Sequence, residues 1–238
     1  MRKKYIICGL KVLCDFRYPI MNSRAEKYLC DFSGEADMVL DNDEEALESF
    51  KAKYPHLSMS ECEVMNTTSR FYRRLIGFGG FMLHSSAVAV DGSAYLFSAP
   101  SGTGKSTHVQ QWVKLFGAKA QIINDDKPAI IVREDGIFAA GTPWSGKSEL
   151  NMNKIVPLKG ICVLERSEVN RIAPLPKDEA LFFIMNQTLR PSQPELMDRL
   201  LSLLDKTLLT VPVWKLGCNI STDAAKTAYE AMSGAVTA

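Results

Sequence analysis

Phe97-Ser98-Ala99-Pro100-Ser101-Gly102-Thr103-Gly104-Lys105-Ser106-Thr107 is the stretch on which the reading of this chain turns. A strand-like run, Ala94 to Phe97, enters it. A run with Val109, Trp112, Val113 and Phe116 at helical spacing leaves it, with Gly117 as a stop. Small residues between strand and helix let backbone N–H groups curl around phosphate oxygens at the positive end of the helix. The pattern G-x-x-x-x-G-K-[ST] assigns the backbone of Ser101, Gly102, Thr103 and Gly104, with Thr107 behind them, to the phosphates. Lys105 becomes a point charge on those phosphates and Ser106 a hydroxyl ligand for Mg²⁺. Ala99 stands where the pattern has its first glycine. That is tolerated if Ala99 keeps a negative φ, because only a positive φ demands glycine.

Working outward, Ser85–Val90 and Ser93–Phe97 flank Asp91-Gly92, a two-residue hairpin signal. Ala129–Val132 and Ile137–Ala139 flank Glu134-Asp135-Gly136, a second hairpin. Ile161–Leu164 and Val211–Leu216 read as further strands. Two helices lie between them, the second opening with Ser192-Gln193-Pro194-Glu195 in a capping-box pattern, and an Ala-rich helix runs from Thr222 to Met232. Upstream, Tyr5–Cys8, Lys11–Cys14, Tyr28–Cys30 and Met38–Leu40 read as strands. Glu44–Tyr54 reads as a helix stopped by Pro55, and Ser69–Leu75 as a surface helix with an apolar underside. Hairpins around one loop, with helices gathered late, predict an α/β fold with a mixed sheet rather than regular strand–helix alternation.

Asp125-Asp126 ends the apolar run Gln121–Asn124, about twenty residues beyond Lys105. Adjacent strand side chains point to opposite faces, so one carboxylate can address a metal and the other an attacking hydroxyl. His84 precedes the strand expected beside the loop strand. Gly141-Thr142-Pro143-Trp144-Ser145-Gly146-Lys147 is a turn-rich segment suited to cover a substrate and bring Lys147 to a terminal phosphate; a plain turn over a buried Trp144 would read the same. Lys127, beside the acids, and Arg190, at a helix end, are further cationic candidates. His108 reads as a surface residue of the helix after the loop, with a place under a nucleotide as the lesser alternative.

The totals bound these readings. The chain has 238 residues, enough for a sizeable core, with 46% hydrophobic and 23% charged residues. A formal charge of +1 gives no basic excess for nucleic acid. The basic, then apolar N-terminus is broken by Lys11 and Asp15 and lacks a small-residue cleavage site, so it does not read as a signal peptide. No run reaches the roughly 18 apolar residues of a membrane span. The six cysteines show no CxxC spacing and read as reduced thiols of a cytoplasmic protein. Nothing in the composition fixes the oligomeric state, and a homo-oligomer remains open.

Leu83-His84-Ser85-Ser86-Ala87, then Ala99-Pro100-Ser101-Gly102-Thr103-Gly104-Lys105-Ser106, then Ile123-Asn124-Asp125-Asp126 resemble the core of the HPr serine kinase/phosphorylase family, whose superfamily includes ATP-dependent phosphoenolpyruvate carboxykinase. The matched segments lie between 83 and 126; the rest agrees only in coarse texture. The resemblance implies a P-loop-containing nucleotide domain over 79–238 and leaves 1–78 as a small α+β N-terminal module for a substrate or partner. It implies ATP and Mg²⁺ as cofactors, Asp125 as the base with His84 tuning it, Lys105 on the transferred phosphate, and Ser106 with Asp126 on the metal. In the carboxykinase the matching histidine is a metal ligand. HPr kinases carry Glu after the loop serine where this chain has Thr107, and their glycine-rich HPr-engaging segments have no counterpart here. The implied activity is therefore kinase transfer to a hydroxyl, with a serine of a protein or ribosomal peptide as acceptor. The alternatives are a small-molecule alcohol, or a nucleotide-binding partner protein without transfer.

Overall fold

The computed structural model describes residues 2–234. The chain opens with β1 (Lys3–Ile7) and β2 (Leu10–Cys14), an antiparallel pair, followed by α1 (Pro19–Ala25) and β3 (Met38–Leu40), which lies parallel to β2. The predicted strand Tyr28–Cys30 is instead a 3-10 turn, Glu26–Tyr28, followed by a single bridge from Leu29 to Tyr5. Two helices close this module. The first is α2 (Glu44–Lys53), capped by Asp43. The second is α3 (Met59–Leu75), whose Ser58 and Glu61 form a capping box. Two of the three arginines of α3, Arg70 and Arg74, are engaged by the small sheet. Arg70 donates to Asp41 O and Arg74 to Val39 O, so their guanidinium groups occupy carbonyls at the outer edge of the small sheet.

After a 3-10 turn at Ile76–Phe78 come β4 (Gly80–Met82), β5 (Ser85–Val90) and β6 (Ser93–Ser98). Asp91 and Gly92, at φ 49° and 78°, make the two-residue turn between β5 and β6, which needs positive φ at both positions. Then follow α4 (Lys105–Phe116), β7 (Ala120–Asp126), β8 (Ala129–Arg133), β9 (Gly136–Ala140) and the long β10 (Ile155–Arg166). The chain ends with β11 (Arg171–Pro174), α5 (Lys177–Asn186), α6 (Pro194–Thr210), β12 (Val213–Cys218) and α7 (Thr222–Ser233). The expected capping box at Ser192 is absent. The helix begins at Pro194 with Gln193 before it, because proline already fits the first helical position without a cap bond.

Among the described residues nine strands form one mixed sheet. Its path runs β4-β8-β9-β10-β6-β5-β7, and β12 pairs with β10 and β11. β6, β10 and β12 are parallel and the other pairings are antiparallel. Both faces of the sheet are covered, which is why β5 and β6 are almost wholly apolar or small. On one face α4 and α7 pack Trp112, Val109, Ala225 and Ala228 against Val88, Phe97 and Leu164. On the other, α5 and α6 pack Ile184, Leu200 and Leu204 against Leu96 and Ile161. A third apolar cluster joins the N-terminal module to the sheet through Phe71, Tyr72, Ile131 and Trp144, so the core continues across residue 78.

Candidate functional site

The loop between β6 and α4 turns on two glycines. Gly102 and Gly104 take φ of 79° and 122°, which no other residue adopts cheaply, and Ala99 is not among the positive-φ residues. Arg166, at the end of the parallel neighbour β10, donates to Gly102 O (2.5 Å) and Thr103 O (3.3 Å). Those carbonyls are turned away from the helix, whose first internal bond is His108 N–H to Gly104 O. The N–H groups of Lys105, Ser106 and Thr107 consequently have no acceptor among the described residues. They form a cluster of donors at the positive end of a helix of 12 residues. The Lys105 ammonium is buried and rests on Ala99 O at 2.9 Å. Burial pulls its pKa down, while the Asp126 and Asp125 carboxylates oppose that.

β7 brings both acids to the same loop. β5 pairs with β6 on one side and β7 on the other, so Ser86 stands opposite both Phe97 and Asp125. Asp125 is buried, and its Oδ1 accepts from Ser86 Oγ and from Ser106 Oγ, the latter at 2.8 Å. Asp126 breaks the strand with φ 149°, a strained value for a residue with a side chain. The strain turns Asp126 out of strict alternation, and both carboxylates face one cleft of about 670 Å³. Asp126 Oδ1 lies 3.3 Å from His84 Nε2, and its Oδ2 accepts from Lys127 Nζ. Burial works against the Asp126 charge, but the His84 hydrogen bond and the Lys127 ammonium outweigh it and hold its carboxyl down at about 2.

The sequence reading coupled His84 to Asp125 and Ser106 to Asp126. The structure pairs them the other way, because the φ change at Asp126 swings that side chain to His84 and leaves Asp125 over the helix start. His84 is further fixed by a residue the sequence did not reveal. Gln187, at the end of α5, accepts from the His84 backbone N–H at 2.8 Å and brings its Oε1 to 2.8 Å from Nδ1. No local motif marks a contact spanning 103 positions. Ser86 and Arg166 were missed for the same reason, since each acts through a strand pairing.

The segment from Gly141 to Leu150 forms the far wall. Gly146 N–H donates to Asp125 O at 2.8 Å, and a Cβ there would come within 2.9 Å of that oxygen. Lys147 lines the cleft from an exposed position. Trp144 does not cover the cleft. It is fully buried, lies 4.4 Å from Phe71 between ring centroids, and donates from Nε1 to Thr67 Oγ1. Arg24 of α1 donates to Ser145 O at 2.7 Å and ties the segment to the N-terminal module. Arg190 is exposed and is not among the residues lining the cleft. His108 is buried rather than on the surface: it stacks on Phe97 and accepts from Trp112 Nε1 at 3.1 Å.

A Mg²⁺ ion takes hard oxygen ligands, usually one or two carboxylates with phosphate and water completing the shell. The Ser106 hydroxyl and Asp125 carboxylate, already in contact and facing the cleft, fit that donor set. Among the described residues there is no group of three or more His, Cys, Asp or Glu that could hold a metal ion.

Fold and cleft define a mixed α/β protein in which a glycine-rich strand–loop–helix faces a pair of adjacent carboxylates. The chain belongs to the family described as SynChlorMet cassette protein ScmC, which matches residues 54–192, more than half of its length. Every cleft residue described above lies within that match. No curated protein matches. Among solved structures the chain is similar to the Hpr(Ser) kinase/phosphatase from Coxiella burnetii, at 9% identity and a TM-score of 0.37, over 65% of this chain and 96% of that one. No described helix is long and apolar enough to cross a membrane.

Proposed function

We propose that this protein is an ATP-dependent, Mg²⁺-requiring kinase that transfers a terminal phosphoryl group to a hydroxyl, with a serine of a protein or peptide as acceptor. The observation that carries the reading is the convergence on one cleft of three unengaged helix N–H groups, a buried lysine and two carboxylates. Phosphoryl transfer asks the protein mainly for positioning and charge, and these groups supply both.

In this reading the N–H groups of Lys105, Ser106 and Thr107 hold the phosphate chain. Lys105 leaves Ala99 O to meet the transferred group, and Lys147 approaches from the opposite wall. Ser106 and Asp125 would hold Mg²⁺, which when bound neutralises charge on the phosphates. Asp126 orients the acceptor hydroxyl and takes its proton late in the transfer. A carboxylate held near 2 suffices for that because the proton moves only once the P–O bond is forming. His84, braced by Gln187, keeps the Asp126 carboxylate aimed. The resemblance to HPr-kinase-like proteins supports the serine acceptor, and the N-terminal module is then the element that presents it.

Calorimetric titration with Mg-ATP tests the binding half of the reading. Lys105→Ala should weaken binding by about ten- to a hundredfold, the worth of one charge-assisted contact to phosphate. Equal affinity in the two proteins would overturn the assignment of the loop.

A further inference from the structure

Two more clefts flank the loop on the side away from the acids. One, of about 670 Å³, lies against Pro100, Leu175 and Phe183. The other, of about 600 Å³, lies between the start of α4 and the ends of β10 and β12. The second shares Gly102, Gly104 and Thr107 with the acid cleft, whereas the first shares only Ser101 and Gly102. A phosphate chain laid across the N-terminus of α4 therefore leads from the acids into the second cleft.

We propose that this second cleft takes the base and ribose of the nucleoside triphosphate; the inference rests on the kinase reading above. Its chemistry suits a flat, uncharged ring better than a phosphate. Leu164, Cys218 and Ile220 give it apolar surface, and Ile220 is 77% exposed at the rim. Gln111 is buried in its wall, 6% exposed, with Nε2 3.5 Å from Thr107 O and no partner for Oε1 among the described residues. A side-chain amide of that kind can read the donor and acceptor edge of a base. Glu168 also lines the cleft, as does Glu165, whose carboxylate is paired with Lys215 at 2.7 Å on the side of the neighbouring cleft. The Glu168 carboxylate disfavours polyphosphate there and can accept from ribose hydroxyls. Arg166, fixed on Gly102 O and Thr103 O, separates this cleft from its neighbour.

The test compares ATP with inorganic tripolyphosphate, both with Mg²⁺, on the full chain. Tripolyphosphate has the phosphates without base or ribose. Cys218 is a part-buried thiol that lines this cleft and neither of the others. Its alkylation by N-ethylmaleimide, read by peptide mass mapping, reports occupancy. ATP should slow that alkylation about tenfold or more, and tripolyphosphate should bind without protecting. Ile220→Glu, at an exposed position, should weaken ATP about tenfold and leave tripolyphosphate unchanged. Equal binding of both ligands, with Cys218 unprotected and Ile220→Glu silent, would overturn the base cleft and leave the phosphate loop standing. Failure of both ligands to bind would overturn the kinase reading and the cleft with it.

Discussion

His84 Nε2 faces Asp126 Oδ1 at 3.3 Å, and the residue beside Asp126 in sequence is bonded elsewhere, to Ser86 and Ser106. Two neighbouring carboxylates thus sit in different environments. One is bound to the helix that would carry the phosphates, and the other lies between a histidine and a lysine. Groups whose surroundings differ so sharply can carry different chemical roles.

The first prediction separates those roles. Asp126→Asn should keep Mg-ATP affinity within a few-fold while transfer falls by about a hundred- to ten-thousandfold, the range of a positioned proton acceptor. Asp125→Asn should instead raise the Mg²⁺ concentration needed for half-maximal binding. Mg²⁺ titrations of ATP affinity alongside turnover distinguish them. If the two variants behave alike, or exchange these phenotypes, the division drawn from His84 and Ser106 is wrong.

Within the segment 141–150, one residue holds the fold and another serves the cleft. Trp144→Ala removes a fully buried indole packed on Phe71 and should lower unfolding stability by about 3–5 kcal/mol. Lys147→Ala removes an exposed side chain, so the melting temperature should stay put while transfer falls. Denaturant unfolding and turnover, measured on both variants, check the contrast.

Gly146→Ala tests the close approach of that segment to the acids. Its new Cβ would meet Asp125 O at 2.9 Å and Asp126 Cβ at 3.1 Å, and neither backbone nor Cβ can swing aside. The segment should lift, with loss of the Gly146 N–H to Asp125 O bond and a fall in transfer larger than any fall in nucleotide affinity. Hydrogen exchange at Gly146 in wild type should show protection consistent with that bond.

His108 sets a pH dependence of stability. Burial lowers its pKa to about 4 in the folded chain, against about 6.5 unfolded. As pH falls below the unfolded value, the unfolded chain takes a proton that the folded chain refuses, so stability declines until pH reaches the folded value. The loss from about pH 7 to about pH 5 should be roughly 2 kcal/mol. His108→Gln should flatten that part of the profile, whatever its effect at neutral pH. A wild-type slope equal to the variant's would place the proton elsewhere.

Much of this was legible in the sequence, in places where the signal is local. The Asp91-Gly92 turn and the glycines of the loop each state their own geometry, whereas the acid pair showed its place at a strand end but not how its two carboxylates divide, which the φ at Asp126 decides. The mixed character of the sheet followed from two hairpins around one helix. What failed did so through partners distant in sequence. Leu29 and Cys30 look strand-like, yet they reach β1 only through one bridge, Leu29 to Tyr5, and one bond, Cys30 N–H to Lys4 O. Tyr28 is drawn into the N-terminal core, and proline and cap chemistry elsewhere decide the helices. His108 looked polar, and only the packing of Phe97 and Trp112 around it made it a core residue. Gln187 and Arg166 reach the site through the fold alone.

The most direct test of the account is transfer of label from γ-labelled ATP into an extract of the source cells, comparing wild type with Asp126→Asn and separating products by size. The account predicts label on a protein or peptide band with wild type and none with the variant. Label confined to small molecules would keep the kinase and contradict the serine acceptor. Nucleotide binding without any Asp126-dependent label would contradict transfer itself.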